Sequence, residues 1–258
     1  MQLVFNRLNV KQLVIALSAI LIAFNAQAQE AKESKKVVRP DIPGQFIVDW
    51  GFNGTIGSPA KFKKGWFGSR TFNFYYYYPL RIGKSKFTFV PGIGIGQDRF
   101  KFKNYYYLAD TGKLDKHFAL VPSYFDTNGD RKTDSLTFPG IKKSFLTMNY
   151  LDVPLEFRFN VNPDDLARTF WIGVGGRAGW MYSANSKIKQ KTGGEKIVHK
   201  DRYNQGLNHF RYGLSLRMGV GNFNFFGFYN MSPLFQKDKG PSQTQMQVWT
   251  FGISLIGL

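Results

Sequence analysis

The sequence predicts an all-β protein, an eight-stranded antiparallel up-and-down transmembrane β-barrel. About eight segments alternate an apolar or aromatic residue with a small or polar one. Because a strand repeats every two residues, each segment has two unlike faces. The polar faces carry Asp, Glu and Arg, which a soluble core could not hold unpaired, so we infer that the apolar faces contact lipid. A soluble β-sandwich or lipocalin-like barrel is the alternative fold, because its strands alternate as well.

Residues 1–28 are predicted to be a secretory signal peptide that is cleaved after Ala28. Arg7 and Lys11 precede an apolar run over residues 13–24, and small residues follow that run. A run of about 12 residues is shorter than the roughly 20 that a membrane-spanning helix needs. This length argues against the alternative, a retained N-terminal anchor.

Residues 29–44 are interpreted as a polar, basic and flexible periplasmic leader, in which Pro40 and Pro43 stop any helix, and residues 45–258 as the barrel. The chain has no Cys, so neither a lipid-anchored Cys nor a disulfide supports the exported fold. Its formal charge of +18 would suggest nucleic acid in a cytosolic protein. Export to the outer membrane of a Gram-negative bacterium argues against nucleic acid and favours outer-membrane lipids and lipopolysaccharide as partners.

The first four predicted strands each set large apolar side chains against small or polar ones. Strand one, residues 45–54, alternates Phe, Val, Trp and Phe with Ile, Asp, Gly and Asn. Strand two, residues 70–80, alternates Phe and Tyr with Thr, Asn and Tyr. Strand three begins at residue 86 and alternates Phe and Ile with Thr and Gly, and an extension through Phe102 stays open. Strand four, residues 145–159, alternates Leu, Val and Phe with Asp, Glu and Arg.

The last four predicted strands follow the same rule, with one exception. Strand five, residues 169–182, and strand six, residues 208–221, set aliphatic and aromatic residues against Gly and Arg. Strand seven, residues 222–232, has aromatic residues on both faces, so its register is open. Strand eight covers residues 245–258. The clearest lipid-facing candidates are Leu151, Val153, Leu155, Phe157, Leu214 and Leu216.

The predicted connections alternate in length. Short links follow strands two, four and six, at residues 81–85, 160–168 and 221–222. Long polar links follow strands one, three, five and seven, at residues 55–69, 97–144, 183–207 and 233–244. Outer-membrane barrels have an even strand number, short periplasmic turns and long external loops, so both ends of the barrel are expected in the periplasm.

Seven ionisable side chains are predicted to point into the barrel, three acids and four bases. An eight-stranded barrel is just wide enough for side chains to fill it, and buried charges persist only when they are paired. The sequence therefore predicts a salt-bridged plug, with a narrow conducting path or a ligand site as the alternative. Strand pairing around the link after strand four further predicts an ion pair between Asp152 and Arg177. The seven residues are Asp49, Asp152, Glu156, Arg158, Arg177, Arg211 and Arg217.

Metal, cofactor and catalytic sites have little support in the sequence. Residues 126–134 space carboxylates as a calcium loop does, but the sixth loop position is Arg131, which favours a solvated Asn-Gly turn. We therefore predict no metal and no cofactor. Of the three His, only His209 is predicted to face inward, and Ser215 on the same strand lies about 20 Å away, so no catalytic residue is assigned. A partner from a neighbouring strand, as in barrel lipases, is the alternative.

Two of the long links are rich in lysine, for example at Lys187, Lys189 and Lys237. Ammonium groups bind phosphate well as point charges, so these links could contact lipopolysaccharide. The alternative is a solvated loop with no partner.

Several motifs resemble one family. The signal ends in AQAQ, strand one contains VDWGFN, strand three contains PGIGIG, and residues 150–159 read YLDVPLEFRF. These motifs are similar to those of the PorT-like outer-membrane β-barrel proteins of Bacteroidota. The resemblance implies an eight-stranded outer-membrane barrel, and the thin support for a catalytic site in the sequence predicts that the protein is not an enzyme. It also implies a structural or accessory subunit of an outer-membrane secretion or assembly complex, as in type IX secretion. The alternative is a barrel that handles small solutes or lipids, as a narrow pore or a lipid-modifying enzyme.

Overall fold

Eight long antiparallel strands close into a barrel. In a computed structural model they are β1 (Gln45–Ile56), β2 (Arg70–Tyr77), β3 (Phe87–Phe102), β4 (Ile141–Asn160), β5 (Phe170–Thr192), β6 (Phe210–Val220), β7 (Phe223–Asn230) and β8 (Gln247–Ile256). Each strand pairs with the next one in the chain, and β8 pairs with β1, so the eight long strands form a closed ring. The predicted fold class, an eight-stranded antiparallel up-and-down β-barrel, is confirmed.

The structure describes residues 44–59, 62–103, 106–110, 118–122, 124–125, 135–136, 141–165, 168–192, 195–201, 206–241 and 245–257. The predicted signal peptide, nearly all of the predicted leader and the calcium-like segment 126–134 lie outside these residues, and those predictions stay predictions. Within the described part of the chain, no helix is long and apolar enough to cross a membrane.

Side chains alternate between an apolar outer wall and a polar lumen. On β4, Asp152, Pro154 and Glu156 are buried, whereas Val153 and Leu155 between them are exposed. The period of two in the sequence produces this division directly, because neighbouring side chains on a strand point to opposite faces. The six candidates for lipid contact all lie exposed on the outer wall: Leu151, Val153, Leu155, Phe157, Leu214 and Leu216.

The register of β7, which the sequence left open, follows the same division. Phe223 and Phe225 are exposed on the outer wall, whereas Phe226 and Phe228 are buried in the lumen. Aromatic residues therefore occupy both faces of β7 because some of them fill the interior.

Short connections join the strands at one end of the barrel, here called the turn end. Gly221 and Asn222 link β6 to β7, and Gly221 has a φ of 54°, a conformation that glycine adopts without strain. At the opposite end, the loop end, strands run further than predicted. β3 continues to Phe102, β4 begins at Ile141 and β5 continues to Thr192, where it pairs with a short strand, Glu195–Asp201.

The predicted strands are therefore too short at the loop end, where β4 was predicted to begin at residue 145 and β5 to end at residue 182. A strand needs about 9–11 residues to cross a bilayer, and β5 has 23. Most of the extra residues are polar or basic, so they lack the regular apolar alternation of the rest of the strand. They extend the sheet as a ribbon beyond the apolar wall.

Two apolar layers lie inside the barrel. The loop-end layer combines inward side chains of β3, β4, β5 and β8 with residues from the loops: Phe62, Phe100, Phe102, Leu146, Met148, Tyr150, Met181, Leu207, Leu234, Phe235, Met246 and Val248. The turn-end layer is smaller and consists of Ile47, Tyr75, Tyr77, Val90, Trp171 and Ile256. The ionisable side chains of the lumen are distributed around and between these layers.

Candidate functional site in the barrel lumen

All seven ionisable side chains that were predicted to point inward are buried, and none is more than 6% exposed. They form two groups. The loop-side cluster contains Asp152, Arg177 and Arg211, and the turn-side cluster contains Asp49, Glu156, Arg158 and Arg217.

Arg211 is the centre of the loop-side cluster. Its Nη2 lies 2.6 Å from Oδ2 of Asp152 and its Nε lies 3.1 Å from Oδ1. The guanidinium therefore donates two hydrogen bonds to this carboxylate, one to each oxygen. Its Nη1 lies 2.6 Å from Oδ2 of Asp98 on β3. The guanidinium carbon also lies 3.7 Å from the centre of the Tyr150 ring. One arginine thus neutralises charge from two strands and packs on an aromatic face.

Arg177 joins the loop-side cluster through a tyrosine. Its Nη1 donates a hydrogen bond to the hydroxyl of Tyr75, and that hydroxyl donates to Oδ2 of Asp152 over 2.9 Å. The direct distance from Arg177 Nη1 to Asp152 Oδ2 is 4.0 Å, the limit for an ion pair. The Arg177 guanidinium also lies 3.6 Å from the centre of the Phe228 ring.

The predicted pairing of Asp152 with Arg177 is therefore secondary to the pairing of Asp152 with Arg211. In the β4–β5 hairpin, Asp152 lies opposite Gly179, and Arg177 lies opposite Pro154. Because Gly179 has no side chain, Arg211 reaches across β5 from β6 and takes the shorter bonds. Residue spacing within one hairpin does not predict a pair that crosses a glycine to the next strand.

In the turn-side cluster, Arg217 donates two hydrogen bonds to the Asp49 carboxylate, of 2.6 and 3.1 Å. The hydroxyl of Ser254 donates a further hydrogen bond of 2.6 Å to Asp49. Glu156 lies between two arginines. Its Oε1 is 2.6 Å from Nε of Arg158, and its Oε2 is 3.5 Å from Nε of Arg217. A chain of alternating charge therefore links β1, β4 and β6.

Glycines on the neighbouring strands provide the space for these pairs. A Cβ at Gly179 would lie 2.1 Å from Oδ1 of Asp152, and a Cβ at Gly96 would lie 2.5 Å from both Asp152 Oδ2 and Arg211 Nη2. A Cβ at Gly173 would lie 2.3 Å from Oε1 of Glu156. The inward faces therefore contain glycine at positions where long charged side chains from neighbouring strands lie across them.

Asp98 is a lumen residue that was not predicted from the sequence. It fell within the predicted external link 97–144, but β3 extends past it and its side chain is buried with that of Arg211. Thr88, Gly94 and Gly96 point inward on β3, and continuing this alternation by one step would have placed Asp98 in the lumen. With Asp98 included, the buried ionisable residues of the described lumen are four acids and four arginines. The formal charge of the described lumen is therefore balanced.

Little free space remains among these side chains. A cavity of about 10 Å³ borders Asp49, Arg177 and Arg217, which is at the lower limit of what one water needs. A larger pit of about 240 Å³ opens at the turn end, and Arg158 and Trp171 are among its lining residues. The Arg158 guanidinium lies 4.3 Å from the centre of the Trp171 ring.

No catalytic or metal-binding arrangement is found in the part of the chain that the structure describes. His209 precedes β6 and is half-buried, and its ring stacks at 6.0 Å on the exposed Trp180 rather than joining the lumen network. The predicted inward position of His209 is therefore wrong. Among the described residues, no group of three His, Asp or Glu side chains could hold a metal ion.

A closed barrel with an apolar outer wall and an ionised lumen defines a class, the transmembrane β-barrels of outer membranes. The family described as outer membrane protein beta-barrel domain matches residues 71–235. The chain belongs to this family and is an outer-membrane β-barrel protein. No curated protein matches the sequence.

Two similar solved structures are of Ail, the attachment invasion locus protein of Yersinia pestis. One contains the heparin analogue sucrose octasulfate, and it is 14% identical with a TM-score of 0.35 over 83% of this chain and 99% of that one. The other is Ail alone, also 14% identical, with a TM-score of 0.34 over 83% of this chain and 97% of that one. The fold assignment rests on the strand pairing described above.

Proposed function

We propose that this protein is a non-conducting outer-membrane barrel without enzyme activity that acts as a structural or accessory subunit of an outer-membrane secretion or assembly complex. The observation that carries the proposal is the filled, charge-balanced lumen. Four buried acids and four buried arginines pair with each other, and an apolar layer covers the loop end. A lumen of this kind leaves no continuous path for a solute, so the outer wall and the loops are the surfaces available for function.

The proposed role in secretion or assembly follows from the resemblance to PorT-like barrels. The YLDVPLEFRF stretch forms the membrane-crossing part of β4, whose alternate residues bear Asp152, Glu156 and Arg158. In PorT-like barrels, a similar strand belongs to proteins of which the founding member serves type IX secretion. A role in a type IX-like complex is therefore the finer form of the proposal.

A second candidate is a barrel that handles small solutes or lipids, and the pit at the turn end favours it. The pit has room for a small molecule, and it is lined by polar groups of Gln45, Asn160 and Arg158. Arg158 Nη1 already donates a hydrogen bond of 3.1 Å to Gln45, however, and its Nε is paired with Glu156. The ion pair with Glu156 offsets the positive charge of Arg158, which weakens its attraction for an anionic solute.

The proposal is tested by cross-linking the tagged full-length protein in intact cells and purifying it under denaturing conditions. We expect one defined set of outer-membrane or periplasmic proteins in stoichiometric amounts. The control is an unrelated eight-stranded barrel with the same tag and the same abundance. Recovery of the protein without partners above that control, together with altered lipid or solute composition in a deletion strain, would contradict the proposal and favour the second candidate.

A further inference from the structure

Six lysines occupy one face of the ribbon that β4, β5 and the strand Glu195–Asp201 form at the loop end. In the strand register, Lys143 lies opposite Lys189, Lys187 lies opposite Lys200, and Lys191 lies opposite Lys196. Residues directly opposite each other project to the same face of a sheet, and alternate residues of one strand share that face as well. We call this set the lysine ladder: Lys143, Lys187, Lys189, Lys191, Lys196 and Lys200.

The lysine ladder lies on the outer wall. The residues that alternate with it, Ser144, Ser186 and Ile188, are each 2% exposed and point to the inside. Lys143, Lys189 and the other described outward lysines of the ribbon are exposed or partly exposed. The ladder therefore lies on the outward face of these strands. Nearer the turn end, the same face forms the apolar outer wall.

The ladder is electrostatically unfavourable for the chain alone. Like charges directly opposite each other on neighbouring strands destabilise a sheet, and this ribbon has three such pairs in succession. Its two acids do not occupy ladder positions in the strand register, because Glu195 pairs with Thr192 and Asp201 pairs with Ser186. Within the described residues of the ribbon, no acidic residue therefore pairs directly with a lysine of the ladder. An anionic partner would supply the missing charge.

The basic face continues down to the apolar wall. Lys101 on β3 and Lys187 on β5 both lie opposite Phe145 of β4, on the same face. Lower down, Arg99 lies opposite Arg70, which is a further pair of like charges. Phe72, two residues after Arg70 on the same face, is exposed on the outer wall. Positive charge thus begins where the apolar surface ends, which is the level of lipid headgroups.

We propose that the lysine ladder, with Arg70 and Arg99, binds the phosphate groups of lipids in the membrane leaflet at the loop end. Ammonium groups bind phosphate as compact point charges, and long basic side chains can bend toward the headgroup level while their stems contact apolar surface. Continuity with the apolar wall is the reason for choosing a lipid over a soluble polyanion. This inference goes beyond the proposed function and is independent of the lumen.

The test uses the full-length protein in nanodiscs of phosphatidylcholine that contain a minor fraction of either bisphosphorylated or dephosphorylated lipid A. Mass spectrometry measures how much lipid A stays with the protein after exchange into a neutral detergent. We expect the wild type to retain the bisphosphorylated form in at least about tenfold excess, since each lysine near an anionic surface contributes attraction. The variant K143Q/K187Q/K189Q/K200Q should lose this excess.

The matched control removes four exposed cations at the turn end, in the variant R81Q/K84Q/K86Q/R168Q. It changes the net charge equally and should keep the excess, as should K143R/K187R/K189R/K200R, which retains the charge of the ladder. Heat-dependent gel mobility verifies that each variant is folded. Equal retention of the two lipid A forms by the wild type, or equal loss in the control variant, would overturn the proposal. Displacement of bound lipid A by soluble polyphosphate at equal phosphate concentration would also overturn it, in favour of a soluble partner.

Discussion

At the scale of single residues, Arg211 is the side chain on which the loop-side cluster depends. It is the nearest cation to both Asp98 and Asp152, each at 2.6 Å. Arg211→Met would leave both carboxylates buried without their main partner, so it should destabilise the barrel by about 3–5 kcal/mol. Arg177→Met is the matched comparison and should cost less, because its distance to a carboxylate is 4.0 Å. Urea titration of folding into lipid vesicles measures both free energies.

A double-mutant cycle assigns the partner of Asp152. Coupling between Asp152→Asn and Arg211→Met should exceed coupling between Asp152→Asn and Arg177→Met. Stronger coupling to Arg177 would mean that the simple cross-hairpin pair predicted from the sequence is correct and that the bidentate geometry at Arg211 is not.

The glycines of the lumen give a second prediction at this scale. Gly179→Ala places a methyl group 2.1 Å from Asp152 Oδ1, and should therefore destabilise the barrel by about 1–3 kcal/mol through overpacking. Gly176→Ala, three residues earlier on the same strand, is the control because its new Cβ would have only an ordinary contact of 3.5 Å. Both variants are compared by the same urea titration. Equal stabilities would show that the lumen has more room than its described contacts indicate.

At the scale of the element, β4 combines a lipid-facing and a charge-bearing side in one strand. Val153→Arg puts a charge on the outer wall in the middle of the apolar band, which should cost about 2–4 kcal/mol. Asn149→Arg adds the same charge on the same face nearer the loop end, where the cost should fall to about 0–1 kcal/mol. Folding free energies in vesicles test this dependence on depth. Similar costs at both positions would contradict the assignment of this face to lipid.

The ends of the strands could not be predicted from the apolar alternation. The apolar alternation identified the membrane-crossing part of all eight strands, because lipid on one side requires it. Above the membrane both faces of a ribbon can be polar, so β5 continues through SKIKQKT to Thr192 with one apolar residue, Ile188, and without apolar alternation. The same limitation left Asp98 outside the predicted lumen.

At the scale of the whole molecule, strand number, closure and the inward side of seven ionisable residues follow from alternation and from the lengths of the connections. The pairing of those charges does not. It depends on which inward residues are glycine and on the stagger between neighbouring strands, which decides that Arg211, rather than Arg177, reaches Asp152. A sequence read strand by strand contains no direct measure of that stagger.

The lumen decides what the molecule as a whole can do. Two apolar layers and a balanced set of four acids and four arginines occupy it among the described residues. Because this interior is closed, activity has to come from the outer wall and the loops, as the proposed accessory role requires. An open interior would leave the lysine ladder intact but would favour transport over an accessory role.

Single-channel recording of the purified full-length protein in planar bilayers tests the closed lumen most directly. Insertion is verified by heat-dependent gel mobility, and a general porin handled in parallel verifies that the bilayers report open barrels. A closed lumen predicts no stable conductance steps for the wild type at neutral pH. Stable steps whose size rises with salt concentration would show a water-filled path through the barrel and would contradict a closed lumen.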